Sequence, residues 1–128
     1  SLINVKDYDD KLRQEHNLSW VSLEELPQLY SDHNKMVQTA LNILRHNIST
    51  EPLGFKLLPD LFTLTQLQHV YEAVLESEID KRNFRKRIKQ IDFIEKTELI
   101  DKKTSKRGAA LYRFNKKSYA EDPSFKLQ

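Results

Sequence analysis

Asp80-Lys81-Arg82-Asn83-Phe84-Arg85-Lys86-Arg87-Ile88-Lys89-Gln90-Ile91 is the stretch on which the reading of this 128-residue chain turns. Asp80 is a residue type that caps helices by accepting from a first-turn amide, so the pattern predicts a helix from Lys81 to about residue 90 or 91. At about 100° per residue, Ile88 and Ile91 fall within about 40° of Phe84. These three form the buried edge, each contributing on the order of 1.5 to 3 kcal/mol. Arg85, Lys89, Arg82 and Lys86 then lie at about 100°, 140°, 160° and 200°, a contiguous cationic stripe on the opposite side. Asn83 and Gln90 stand at one margin of it, and Lys81 and Arg87 flank the apolar edge.

Upstream, Thr63-Leu64-Thr65-Gln66 spells a capping box, with Thr65 and Gln68 as a second possible register. It opens a helix whose apolar face is Leu64, Leu67, Val70, Tyr71, Val74 and Leu75. Residues 76–80 are polar and break the periodicity. Two helices separated by roughly five residues make a helix-turn-helix candidate. Downstream, residues 93–101 and 109–115 read as strands joined by Lys102-Lys103-Thr104-Ser105-Lys106-Arg107-Gly108, a hairpin with a basic tip. Tyr112 and Phe114 share a parity that points them inward. A helix-turn-helix followed by such a hairpin is a winged helix, so the expected class is α+β.

Charge supports a polyanion as partner. Between Lys81 and Lys117 fourteen Lys and Arg face four acidic residues, whereas the first eighty residues carry six bases and thirteen acids, although the whole chain is only +2. A cationic helix of this shape suits the major groove, where Arg reads guanine and Asn or Gln reads adenine, while Lys supplies phosphate affinity. Arg82, Asn83 and Arg85 are the expected base readers, with Lys81, Lys86 and Lys89 beside them. Lys102, Lys103, Ser105, Lys106, Arg107 and Gly108 at the hairpin tip are expected on the neighbouring backbone or minor groove. Thr65 and Gln66 complete the expected contact set from the first turn of the preceding helix. Membrane binding is disfavoured because the small core needs the Phe/Ile/Ile stripe. Single-stranded RNA usually calls for exposed aromatics, which Phe84 does not supply. A winged helix that meets an acidic protein is the remaining binding alternative.

The first part of the chain is less regular. Residues 2–5 and 18–21 read as short strands separated by the charged stretch 6–17, and residues 22–27 suggest one helical turn stopped by Pro27. From about Asp32 a longer helix is expected, with Met36, Val37, Ala40, Leu41 and Leu44 on one side. It should end near residues 46–49, and residues 48–54 suit a linker into the second unit, where residues 55–58 form a short packing segment. Trp20 and Met36 are expected in a core. The tail from Ser118 is polar, with Tyr119, Phe125 and Leu127 available to dock. With no initiating Met, the chain is expected to be a fragment of something longer. No apolar run reaches the roughly 18 residues of a membrane span, no signal-peptide pattern opens the chain and cysteine is absent, which fits the cytoplasm.

At Leu58-Pro59-Asp60-Leu61-Phe62-Thr63-Leu64-Thr65-Gln66-Leu67-Gln68, at Tyr71-Glu72-Ala73, at residues 80–86, at Lys106-Arg107-Gly108 and at Leu111-Tyr112-Arg113-Phe114-Asn115 the sequence resembles the C-terminal winged helix of Nudix-related bacterial transcriptional regulators. That group includes NAD-metabolism repressors and sugar-responsive regulators such as those for arabinose. Trp20-Val21, Glu25-Leu26-Pro27 and Asp32-His33 resemble the end of a Nudix domain. The resemblance implies residues 1–50 as a sensor remnant and 51–128 as the winged helix. It also implies a homodimer on a two-fold double-stranded DNA operator, and an ADP-ribose-like or sugar effector held mainly outside this chain. The Nudix box that holds magnesium has no counterpart; Arg13-Gln14-Glu15-His16 is nearest and lacks the paired glutamates. No catalytic residue is therefore expected, the enzyme alternative being the accessory domain of a Nudix hydrolase acting on nucleoside diphosphate derivatives.

Other chemistry finds little support. His16, His33, His46 and His69 are dispersed without ligand spacing, so no metal or cofactor is expected. Asp7, Asp9, Asp10 and Glu15 read as a solvated acidic loop. Gly54 and Gly108 stand alone, which excludes glycine-rich phosphate loops.

Overall fold

The computed structural model describes Val5 and residues 13–123. Its elements are a 3-10 turn (Leu23–Glu25), helix α1 (His33–Thr50), a second 3-10 turn (Leu53–Leu57), helices α2 (Leu64–Leu75) and α3 (Lys81–Ile88), strands β1 (Ile94–Asp101) and β2 (Ala109–Phe114), and helix α4 (Lys116–Glu121). Two compact units result, Ser1–Ile43 and Leu44–Gln128.

In the second unit the capping box at Thr63 forms as its sequence dictates. The Thr63 hydroxyl accepts from the Gln66 amide at 3.1 Å, and the Gln66 side chain accepts from the Thr63 amide at 2.9 Å. Thr63 is buried, so this pairing also satisfies polar groups withdrawn from water. α2 ends where Glu76 takes a left-handed conformation at φ 49°. The turn that follows is held by Gln68, whose amide donates to the Ile79 carbonyl at 3.1 Å. Asp80 then caps α3 by accepting from the Asn83 amide at 2.7 Å. α3 closes at Ile88, two to three residues earlier than the pattern predicted, because the Gln90 and Ile91 amides bond to Arg87 and Ile88 carbonyls in tighter turns.

β1 and β2 pair antiparallel, Ile94 opposite Phe114 and Asp101 opposite Ala109, with the register shifting between Lys96 and Ile100. Phe62 adds a short bridge to Tyr112, exchanging backbone hydrogen bonds of 3.0 and 2.7 Å, which ties the start of α2 to the hairpin. The core consists of Ile48, Phe62, Leu64, Leu67, Tyr71, Phe84, Ile88, Phe93, Ile94 and Tyr112. Tyr71 packs on Phe84 with ring centroids 6.2 Å apart, and burial pushes its hydroxyl well above the ordinary phenol range. Gly54 lies against the same ring; a Cβ there would stand 3.0 Å from Tyr71 Cε2. The polar tail forms α4, capped by Asn115, and docks Tyr119 on Phe93 and Phe114.

Several sequence expectations fail in instructive ways. Residues 18–21 form no strand: Leu18, Trp20 and Val21 are exposed, and a β-favouring run without a partner strand has no ladder to join. Val5 and residues 13–16 are helical rather than extended or looped, while residues 2–4, 6–12, Phe125 and Leu127 lie outside the described set. Trp20 and Met36 are 41% and 61% exposed, so neither is a core residue. Among the apolar positions of α1 the half-buried ones are Val37, Leu41 and Leu44, leading to Ile48, with Met36 and Ala40 turned outward. Ile48 is not linker; it is completely buried in the second unit's core.

Phe84→Ala should therefore lower stability by about 3 to 5 kcal/mol, by loss of apolar contact and creation of a cavity. A urea midpoint unchanged by the substitution would show that Phe84 does not anchor α3.

Candidate nucleic-acid interface

With Phe84 and Ile88 at 3% and 1% exposure, the opposite side of α3 is committed to solvent. Arg82, Lys86 and Lys89 are exposed there, as the wheel requires. Among the described residues none of the three forms an ion pair with a carboxylate. The stripe is thus an unneutralised cationic face. Asn83 is exposed as well but belongs to the margin nearer the interhelical turn, where it borders a hollow of about 210 Å³ together with Arg87, Glu78 and Asp80.

Arg85 departs from the expected pattern. It is half-buried, its Nη2 donates to the Thr65 hydroxyl at 3.4 Å, and its buried Nε has no hydrogen-bond partner among the described residues. The guanidinium therefore bridges α3 to the first turn of α2 instead of standing free beside Arg82.

That bridge forms part of an open cleft of about 870 Å³. One wall comes from the start of α2, with Thr65 and Gln66; a second from α3, with Lys81 and Arg85; a third from the hairpin, with Ser105, Arg107 and Gly108. Sequence-predicted residues from three separate elements are thereby brought to one concavity. Lys102, Lys103 and Lys106 line no part of it and stand exposed on the hairpin tip. The cleft also takes in residues outside the expected contact set, among them exposed His69 and the buried Thr63 and Tyr112. His69 carried a signal, since it follows Thr65 by four positions and Gln66 by three, off the apolar face of the helix.

The hairpin tip is organised by two devices. Gly108 adopts φ 78°, a conformation that favours glycine, and an added Cβ would stand 2.6 Å from Ile100 Cγ2. Asp101 accepts from the Thr104 hydroxyl and from the Lys103 and Thr104 amides, the Lys103 bond being 2.9 Å. The Thr104 hydroxyl is the main reason its carboxyl is held below the ordinary aspartate range, with the Lys103 amide second. At the hairpin's base Glu95 is likewise lowered, first by Asn115 and then by Arg113, whose Nε donates to it at 2.7 Å. Arg113 is thus neutralised in the sheet while the tip is not.

A three-helix core, a bridge at Phe62, a two-stranded hairpin with a cationic tip and an outward cationic helix define a winged-helix DNA-binding domain. Residues 54–114 match the family described as the NrtR DNA-binding winged helix domain. The chain is 36% identical over 121 residues to the ADPR responsive transcriptional repressor NtrR of Acinetobacter baylyi. That alignment takes in 93% of this chain and 48% of the relative, so the chain spans about half the length of the relative. The fold is shared with Shewanella oneidensis NrtR complexed with a 27mer DNA, at a TM-score of 0.76 and 23% identity over 98% of this chain and 56% of that one. Against a second crystal structure of Shewanella oneidensis NrtR the TM-score is 0.75 at 25% identity, covering 97% and 56%.

Because Asp101 is depressed in the folded state, the order it gives the tip is present above the ordinary aspartate range and is lost as pH falls through the lowered value. In an NMR pH titration the Lys103 and Thr104 amide resonances should hold still through the range where a free aspartate titrates and move only below it. Movement at the ordinary aspartate value would remove Asp101 as the organiser of the tip.

Proposed function

We propose that this chain is the DNA-binding part of a ligand-responsive bacterial transcriptional regulator. α3 lies in the major groove and the hairpin tip follows the neighbouring backbone or minor groove. The observation that carries this reading is the outward face of α3, where Arg82, Lys86 and Lys89 are exposed without carboxylate partners among the described residues. In such a geometry Arg82 and Asn83 are the base readers. Arg85, drawn back against Thr65, serves the backbone, as do Lys81 and the tip residues Lys102, Lys103, Lys106 and Arg107.

The residues ahead of the winged helix are, on this proposal, the end of a Nudix-like sensor. The Acinetobacter relative is named as responsive to ADPR, which favours an ADP-ribose-like effector over a sugar. A homodimer on a two-fold operator in the cytoplasm completes the proposal, and regulation without catalysis is its mode of action. Among the described residues no group of three or more His, Asp or Glu is placed to hold a metal ion, and no helix is long and apolar enough to cross a membrane.

Selection of bound duplexes from a random pool at two salt concentrations tests the reading directly. Arg82→Ala should cost about 1 to 3 kcal/mol on the selected site and relax preference at one base position. Lys103→Ala should weaken every duplex alike and reduce the salt slope by about 1. Equal losses on all sequences from both substitutions would overturn the division into base-reading helix and backbone-binding tip.

A further inference from the structure

His69 sits in the cleft although nothing in its sequence neighbourhood marks it as basic. It is exposed, lies one turn along α2 from Thr65, and shares the cleft with Lys81 and Arg85 of α3 and Arg107 of the hairpin. No carboxylate is among the residues lining that concavity; Tyr112 of β2 is the other titratable group facing it. On its own helix the nearest acid, Glu72, is three residues further on and outside the lining. Three cations and a histidine converging from three elements form a receptor for an anion with several acceptor oxygens. Resting on the DNA-binding reading above, we propose that His69 is a further DNA-contacting residue, its imidazolium donating to a backbone phosphate held in the cleft between α2, α3 and the hairpin.

The chemistry gives this contact a signature that Lys and Arg contacts lack. Histidine is the side chain whose charge ordinarily changes between about pH 5 and 8. A phosphate that accepts from imidazolium binds the protonated protein better, so complex formation takes up a proton and affinity rises as pH falls. Lysine and arginine side chains ordinarily stay charged throughout that range. A backbone phosphate is common to all sequences, so the effect should appear on any duplex. His46, on α1 and not part of the cleft lining, provides a control.

The test measures binding of this chain to a fluorescently labelled mixed-sequence DNA duplex at constant low ionic strength, at pH 8 and pH 6. The unsubstituted protein and His46→Gln should gain about three- to tenfold in affinity on the shift to pH 6. His69→Gln should lose that gain and show a salt slope at pH 6 smaller by about 1. His69→Lys should restore the pH 6 affinity and make it independent of pH. A pH gain that survives in His69→Gln, or none in the unsubstituted protein, overturns the proposal while leaving DNA binding intact. Absence of binding to any duplex at either pH would instead overturn the DNA-binding reading.

Discussion

The burial of Phe84 and Ile88 against α2 is the interaction on which the rest of the domain depends. α3 has only eight residues, too few to be helical in isolation, so its existence comes from packing and not from propensity. Its apolar contribution is two side chains, each stabilising by about 1.5 to 3 kcal/mol when buried. Rotation of the helix by one residue would expose both and force Arg85 or Arg87 toward Tyr71 and Leu67, where a charge without a partner is costly. One orientation is therefore strongly preferred. The cationic face is its consequence, because the remaining positions of the helix are almost all Lys or Arg.

The hairpin shows the same logic with different means. It has no core of its own beyond the base, where Phe93 meets Phe114 and Tyr119 edge to face, so its tip is ordered by hydrogen bonds and backbone conformation. Asp101 gathers the Thr104 hydroxyl and two amides, and Gly108 supplies the positive φ that returns the chain. Acid and base are also divided along it. Glu95 neutralises Arg113 in the sheet, and Asp101 spends its oxygens mainly on Thr104 and backbone, leaving Lys102, Lys103, Lys106 and Arg107 without ion pairs among the described residues.

What was legible in the sequence is what short-range chemistry decides. The capping box at Thr63, the Asp80 cap, the Phe84–Ile88 edge and the two strands each depend on residues within about one turn or one hairpin of one another. What was not legible depends on distant partners. Residues 18–21 favour β-structure but meet no strand, Met36 satisfies a helical period yet lies off the stripe of Val37, Leu41 and Leu44, and Trp20 stays half in solvent. Within the candidate interface the helix face and the basic tip were readable from pattern. The cleft was not, since Thr65, Arg85, His69 and Arg107 become neighbours only when α2, α3 and the hairpin are folded together.

The same distinction places the end of α1. By sequence its last residues look like the approach to a linker, yet Ile48 is fully buried among the second unit's aromatics. Three residues earlier Arg45 donates from Nε to the Val74 carbonyl at 3.2 Å and from Nη2 to Glu76 at 2.9 Å. These contacts answer a specific need. α2 ends on a left-handed glutamate, so its last carbonyls lack helical donors and an acidic side chain sits at the end of the helix that favours a cation. Arg45 supplies both the missing donor and the opposing charge. The last turns of α1 are thus built into the framework that presents α3, and a winged-helix unit without them would lack a core side chain and the partner that closes α2.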